Sequence, residues 1–149
     1  KTYHAIVPRE AENPTKGMAE RQRLEEGITL KHYLTRNERQ NRAYAFNRET
    51  PGAKLAILDV RRIAMAERLQ MLEINLHTGR HHQIRCQLSA IGLPIRGDLK
   101  YGAPRSNPDG SICLHARHVE FLHPVSKQQI SVTADYPSLS IWDIFRNEA

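Results

Sequence analysis

Residues 69–92 read LQMLEINLHTGRHHQIRCQLSAIG, and the spacing of their apolar side chains changes partway along. Leucine and isoleucine occupy every second position from 72 to 76, which predicts a β-strand over 69–76. After a turn, apolar side chains recur at i, i+4 and i+7, at Ile84, Leu88 and Ile91. This spacing predicts a helix with one apolar face, with Thr78 near its N-cap and Gly92 at its end.

The turn between this strand and this helix, together with the start of the helix, carries four basic side chains, Arg80, His81, His82 and Arg85. The first N–H groups of a helix lack partners within it and lie at its positive end, so the turn suits a phosphate group. Arg85 follows Ile84 by about 100° around the helix and therefore flanks the apolar face. A guanidinium there can pair with a carboxylate or a phosphate. A solvated helix start explains this segment, taken alone, equally well.

Shorter patterns predict the remaining elements. Strands are expected over 2–7, 53–63, 113–122 and 129–134, and a short helix over 137–145. Residues 8–27 read as a loop, 30–34 as a short apolar island, and 35–52 as a flexible, solvated and basic hairpin or flap. Strands joined in hairpins, together with two helices, predict an α+β domain around a mostly antiparallel sheet.

Composition limits the possible partners and locations of the chain. Its 149 residues carry 22 Lys and Arg against 16 Asp and Glu, a formal net charge of +6. This charge is compatible with an anionic partner, nucleic acid first, but on charge alone a basic surface kept for solubility is the better explanation. No apolar run approaches the ~18 residues of a membrane span, so no membrane partner is expected. Two cysteines do not make a disulfide framework, which favours the cytoplasm.

Histidine and cysteine side chains are frequent around the turn, but their spacing does not indicate a metal site. The candidates are His77, His81, His82, Cys86 and Cys113. They lack the closely paired ligands of structural zinc sites. We therefore expect no metal.

Several segments, taken together and in order, resemble the motifs of the RluA-type RNA pseudouridine synthases. They are 78–85, 92–98, 101–102, 114–116, 121–124 and the opening strand 1–7. The resemblance extends from residue 1 to about residue 137, and the order of the motifs is far more specific than any one of them. The family converts uridine to pseudouridine in RNA without a cofactor, on a mixed sheet with flanking helices and loops.

The resemblance implies roles for individual residues. Tyr3 matches the family's active-site tyrosine, which packs against the target base. Arg85 matches the basic residue that pairs with the catalytic Asp, and Leu114 matches an apolar residue that lines the pocket. Contacts with RNA are implied for a basic set, Arg80, His81, His82, Arg96 and Lys100. Residues 27–34 and the basic flap resemble one branch of large-subunit rRNA synthases, so ribosomal RNA is a better substrate candidate than tRNA.

The family's catalytic His-Arg-Leu-Asp motif does not occur in these 149 residues, and none of the aspartates matches it. We therefore expect residues 1–149 to be the C-terminal portion of a catalytic domain, inactive alone, whose exposed strands favour self-association. The opening strand, which starts without a lead-in, agrees with this interpretation. The alternative is a non-catalytic RNA-binding module with the same fold. The sequence immediately upstream would distinguish the two hypotheses.

Overall fold

The computed structural model describes residues 1–146. Within these residues, seven strands form one sheet: β1 (Thr2–Pro8), β2 (Ile28–Asn37), β3 (Arg42–Phe46), β4 (Lys54–Met65), β5 (Leu69–Leu76), β6 (Leu114–Leu122) and β7 (Gln129–Thr133). Three short helices and a 3₁₀ turn accompany it: α1 (Met18–Arg21), α2 (Gln83–Ala90), the 3₁₀ turn (Leu99–Tyr101) and α3 (Ser140–Asp143). No helix in this described part is long and apolar enough to cross a membrane.

The strands lie in the order β3-β2-β4-β5-β1-β6-β7. Every neighbouring pair within residues 1–146 is antiparallel. The predicted α+β class with a mostly antiparallel sheet is therefore confirmed. β1 lies between β5 and β6, well inside the sheet, so the first strand of the chain belongs to its core.

Strand register divides the sheet into two faces, because directly opposed residues point to the same side. Tyr3 pairs with Ile74 and with Ala116, and Ile74 pairs in turn with Val60. Gln87 of α2 bonds His32, which lies on that same side of β2, so we call this side the helix face. The opposite side, which we call the outer face, carries His4 and is covered by the segment that follows β7.

Helix α2 packs its apolar side against the helix face as the spacing predicts. Ile84, Leu88 and Ile91 are all buried in the main hydrophobic cluster, whereas Arg85 is only partly buried. Gly92 follows the helix with φ +83°, a conformation that glycine adopts without strain, and this agrees with the predicted end.

The start of α2 differs from the prediction. Thr78 is not its N-cap, because the Thr78 hydroxyl accepts the Ile57 N–H at 2.9 Å and donates to Gln83 Oε1 at 2.8 Å. The N-cap is His82, which has φ +54° and no capping side-chain hydrogen bond. The helix therefore begins one residue beyond the histidine pair.

Strand β2 was predicted only as an apolar island, and β3 falls in the segment predicted as a hairpin or flap, of which the hairpin is correct. β2 alternates buried and accessible positions, but one buried position holds a histidine, His32, which masks the apolar pattern. The buried ring is satisfied by Gln87 Nε2 at 2.9 Å from its Nδ1. Residues 35–52 thus contain the end of β2 and all of β3, paired as a hairpin at the sheet edge. The mobility of this segment stays a prediction.

Candidate functional site

The residues implied as catalytic lie on one face of the sheet. Tyr3 belongs to the register row that defines the helix face, and Leu114 pairs with Ala5, two positions further along β1. Both side chains are half-buried and pack against the main hydrophobic cluster. Helix α2, which carries Arg85, covers the same face, so the fold places all three residues on one side of the sheet.

Arg85 forms a bidentate ion pair with Asp98. Its Nε lies 2.8 Å from Asp98 Oδ2, and its Nη2 lies 2.8 Å from Oδ1. The carboxylate is 1% exposed and the arginine side chain 21%. The hydrogen bonds to Asp98 raise the pKa of Arg85, against the opposing effect of burial, so the guanidinium stays charged.

A series of hydrogen bonds connects Arg85, through His82 and Tyr101, to strand β3 of the β2–β3 hairpin. Arg85 Nη1 lies 3.1 Å from His82 Nε2, and His82 Nδ1 lies 2.8 Å from the Tyr101 hydroxyl. The Tyr101 oxygen also accepts the backbone N–H of Ala43 in β3 at 2.9 Å. Burial and the nearby Arg85 lower the pKa of His82 to about 4, so the ring is neutral at pH 7. A neutral ring accepts from Arg85 at Nε2 and donates to Tyr101 from Nδ1.

Basic side chains collect beside this network. A cavity of about 260 Å³, which we call the basic cavity, is lined by Arg36, Lys54, Arg80 and His81, together with uncharged residues of β2, β3, the β3–β4 connection and the turn before α2. Arg80 Nε donates to the Leu55 carbonyl at 2.9 Å, which holds its guanidinium at the cavity wall. Three segments of the chain thus direct positive charge into one concave space.

The implied RNA-contacting residues do not all lie together. Arg96 lines a separate cavity of about 370 Å³, with Arg68 and Arg105. The Lys100 ammonium donates to the backbone carbonyls of Gln40 and Asn41 at 3.2 and 3.0 Å. Arg80 and His81 therefore both line the basic cavity. Lys100 binds the tip of the β2–β3 hairpin, and Arg96 lines a different cavity.

Sequence reasoning left two kinds of residue unassigned. It gave Asp98 and Tyr101 no contact with Arg85, although both stand in segments that carry the resemblance. It also gave no role to Lys54, the first residue of β4, which the pairing of β4 with β2 brings to the basic cavity. The useful signal was the Gly-Asp and Tyr-Gly pairs after the helix. The Asp98 side chain contacts Arg85 of α2, and the Tyr101 side chain contacts His82 at its start.

Within residues 1–146 no three His, Cys, Asp or Glu side chains are grouped so as to hold a metal ion. His82 and Cys86 do not converge, since both ring nitrogens of His82 bond elsewhere. Cys86 and Cys113 are buried free thiols, and burial raises the pKa of Cys86 to about 11. Such a thiol is protonated at neutral pH and is a poor nucleophile.

The chain is similar to known proteins over most of its length. A family model described as RNA pseudouridylate synthase matches residues 1–90. Ribosomal large subunit pseudouridine synthase D of Zymomonas mobilis is 33% identical over 92 residues, 56% of this chain and 29% of that protein. The tRNA pseudouridine synthase C of Pectobacterium carotovorum is 30% identical over 152 residues, 90% of this chain and 37% of that protein.

The fold is similar as well. Human RNA Pseudouridylate Synthase Domain Containing 4 superposes with a TM-score of 0.67 at 18% identity, over 98% of this chain and 61% of that one. The chain spans about a third of the length of the curated relatives it matches. The ordered motifs, the sheet and the family match agree, and the chain belongs to the RluA-type family of RNA pseudouridine synthases.

Proposed function

We propose that this chain is part of an enzyme that isomerises uridine to pseudouridine in RNA, and that it supplies the aromatic and cationic part of the active site. The observation that carries the proposal is the position of Tyr3, Leu114 and the Arg85-bearing helix on one face of the sheet. Such a site must take the target base out of its stack and hold it against an aromatic ring.

Each of the three residues has a separate part in this proposal. Tyr3 packs on the extruded base, and Leu114 forms an apolar wall of the pocket. Arg85 holds the catalytic carboxylate ionised inside a partly dry site, because a nearby cation lowers the pKa of a carboxyl group. No cofactor is required for this set of roles.

The nucleophilic carboxylate is proposed to come from a segment outside these 149 residues, which hold no His-Arg-Leu-Asp motif. Asp98 is fully engaged with Arg85. Asp59 lies on the outer face, where it accepts hydrogen bonds from Thr29 at 2.6 Å and His77 at 2.7 Å. Neither is free to act on a nucleoside at the helix face. We therefore propose that residues 1–149 alone are inactive.

Ribosomal RNA is the proposed substrate, and the basic cavity is proposed to hold its backbone. Arg36, Lys54 and Arg80 can neutralise phosphates there. The Zymomonas relative, which is named for the ribosomal large subunit, supports this choice. The Pectobacterium relative, which matches 90% of this chain, is named for tRNA. A cytoplasmic location is part of the proposal, supported by the two buried free thiols.

Self-association through the β6–β7 hairpin is also proposed. β7 is an edge strand, and Phe121 and Val132 are about half exposed. Unpaired strand edges with apolar side chains favour pairing with a second chain. Light scattering should show a dimer at micromolar concentration that Val132→Lys dissociates. A monomeric wild-type chain would contradict this part of the proposal.

The direct test compares the 149-residue chain with the full-length protein on ribosomal RNA and on tRNA, with mapping of pseudouridine. We expect modification of ribosomal RNA by the full-length protein and none by the chain alone. Pseudouridine formed by the chain, and abolished by Asp59→Asn, would reveal a nucleophile within it. Modification of tRNA alone would correct the substrate.

The second candidate function is a non-catalytic RNA-binding module, favoured by the basic cavity together with the missing motif. Both hypotheses predict RNA binding by the chain. They differ for the full-length protein, which binds RNA without forming pseudouridine if the module hypothesis holds.

A further inference from the structure

The Arg85 guanidinium is held by side chains on two sides and still has donors to spare. An arginine carries five N–H donors. Asp98 accepts one from Nε and one from Nη2, both at 2.8 Å, and His82 Nε2 lies 3.1 Å from Nη1. One N–H on each terminal nitrogen therefore remains for another acceptor. The Arg85 side chain is 21% exposed, so it is not sealed within the core.

Asp98 is itself fixed by its own loop. Its backbone N–H donates to the Ile95 carbonyl at 3.0 Å, and its carbonyl accepts the Ala103 N–H at 3.0 Å. The carboxylate thus has a set position in a buried loop, and the guanidinium orients to meet it. A bidentate pair also fixes the plane of the guanidinium, which a single contact would not.

The third guanidinium nitrogen of Arg85, Nη1, is contacted by His82, whose backbone conformation is strained. Its φ of +54° is rare for a residue other than glycine. The ring is fixed at both nitrogens, by Arg85 and by Tyr101, and lies in a stack with His81 at 3.9 Å between ring centroids. Backbone strain of this kind persists where the surroundings determine the geometry, and it is common at functional sites.

We propose that Asp98 and His82 are positioning residues, which hold the Arg85 guanidinium in one orientation so that its two remaining N–H groups face the reacting carboxylate. This inference rests on the proposed function, because it assigns these residues a purpose only if a carboxylate reacts beside Arg85. The resemblance gives Arg85 a partner, the catalytic carboxylate. The inference adds the two residues, Asp98 and His82, that orient the Arg85 guanidinium toward that partner.

The main test is Asp98→Asn in the full-length protein, with steady-state kinetics on ribosomal RNA. The amide keeps the size of the side chain but cannot accept two charge-assisted bonds. We expect kcat to fall on the order of 10–100-fold with KM changed less than about 3-fold, since an interaction that aims a group toward the transition state does not bind RNA. Asp109→Asn is the matched control, because Asp109 is an exposed loop aspartate bonded to Ser111.

A second measurement separates positioning from folding. The Arg85 Nε–H should give a slowly exchanging NMR signal in the wild-type protein, lost in Asp98→Asn and retained in Asp109→Asn. His82→Asn, in which asparagine tolerates positive φ, removes the Nη1 contact together with the ring contacts to Tyr101 and His81, but leaves both Asp98 bonds in place. It should lower kcat about 3–10-fold without loss of the Nε–H signal. This variant decides the question if Asp98→Asn does not fold.

The possible outcomes distinguish the inference from the function on which it rests. A wild-type protein that forms no pseudouridine overturns the proposed function and this inference with it. An active wild type whose Asp98→Asn and His82→Asn variants keep the wild-type kcat overturns the inference alone. A rise in KM at unchanged kcat would mean that these residues bind RNA, which also contradicts positioning.

Discussion

Two polar clusters on opposite faces of the sheet each contain a histidine, an arginine, a tyrosine and a carboxylate but connect them differently. The helix-face cluster consists of His82, Arg85, Asp98 and Tyr101, and the outer-face cluster of His4, Glu73, Arg117 and Tyr136. In each, a histidine Nδ1 meets a tyrosine hydroxyl, at 2.8 Å and 2.7 Å. In each, an arginine lies over the tyrosine ring, 4.9 Å and 4.2 Å from its centroid.

The difference lies in which partner the carboxylate takes. Asp98 pairs with the arginine of its cluster, whereas Glu73 pairs with the histidine of its cluster, His4, at 3.2 Å and lies 3.8 Å from Arg61 outside it. Arg117 reaches a backbone carbonyl instead, that of Ala134 at 2.7 Å, and its tyrosine stacks on Trp142 at 5.3 Å. The outer-face cluster therefore fastens the C-terminal segment to the sheet. The helix-face cluster instead fixes the orientation of the Arg85 guanidinium. The two clusters therefore differ in which side chains bond to one another rather than in the kinds of side chain they contain.

The largest expected effect comes from removing the arginine of each cluster. Arg85→Gln leaves the buried Asp98 carboxylate without its partner, which should lower the free energy of unfolding by about 3–5 kcal/mol. Arg117→Gln loses a ring contact and one backbone hydrogen bond, so about 1 kcal/mol is expected. Urea denaturation of both variants measures the two values. Equal losses would show that the carboxylate partner does not distinguish the clusters.

Removing the two tyrosine hydroxyls should give a smaller contrast. Tyr101→Phe leaves the buried Ala43 N–H without an acceptor and should cost about 1–3 kcal/mol of unfolding free energy. Tyr136→Phe also leaves a buried group, His4 Nδ1, without its partner, but it affects this one ring nitrogen where Tyr101→Phe affects both Ala43 and His82, so about 1 kcal/mol is expected. Thermal unfolding in one buffer compares them. A larger loss of unfolding free energy for Tyr136→Phe would contradict a stabilising role for the Tyr101 hydroxyl, which connects β3 to the start of α2.

The pH dependence of stability should report the neutral His82 ring. Its pKa is about 4 in the folded chain against 6.5 ordinarily, so the unfolded state binds more protons between these values. Stability due to this group is present above pH 6.5 and is lost as the pH falls toward 4. The groups that face the ring are Arg85, His81, Lys100, Asp98 and Tyr101.

Urea midpoints at pH 7 and pH 5 for the wild type and His82→Asn measure this contribution. The variant should lose less stability than the wild type on acidification. His4, whose pKa burial also lowers, stays in both proteins and so cancels from the comparison. An identical pH dependence in the two proteins would show that His82 is not the group responsible.

The smallest expected effect concerns charge on the two faces. Arg80→Gln, in the basic cavity beside α2, should reduce the slope of log Kd against log salt for single-stranded RNA by about 0.7, the contribution of one phosphate. Arg61→Gln removes an equal charge from the outer face, where Arg61 lies 3.8 Å from Glu73, and should leave the slope unchanged. Equal changes would indicate RNA binding without a preferred face.

Short-range patterns in the sequence determined the elements around the site. The strand over 69–76 and the apolar side of α2 follow from spacings of two residues and of three or four, which any local window contains. The ordered motifs also identified the family, and through it the roles proposed for Tyr3, Arg85 and Leu114. These signals are local in the chain, so they survive without knowledge of the fold.

Only the tertiary structure decided which side chains pair. Asp98 stands 13 residues from Arg85, and Tyr136 stands 132 residues from His4, so no periodicity links either pair. β2 escaped prediction because its buried His32 is satisfied by a glutamine 55 residues away. Histidine, arginine, tyrosine and carboxylate can join in several ways, and the free energy of each pairing depends on burial and distance that only the assembled sheet sets.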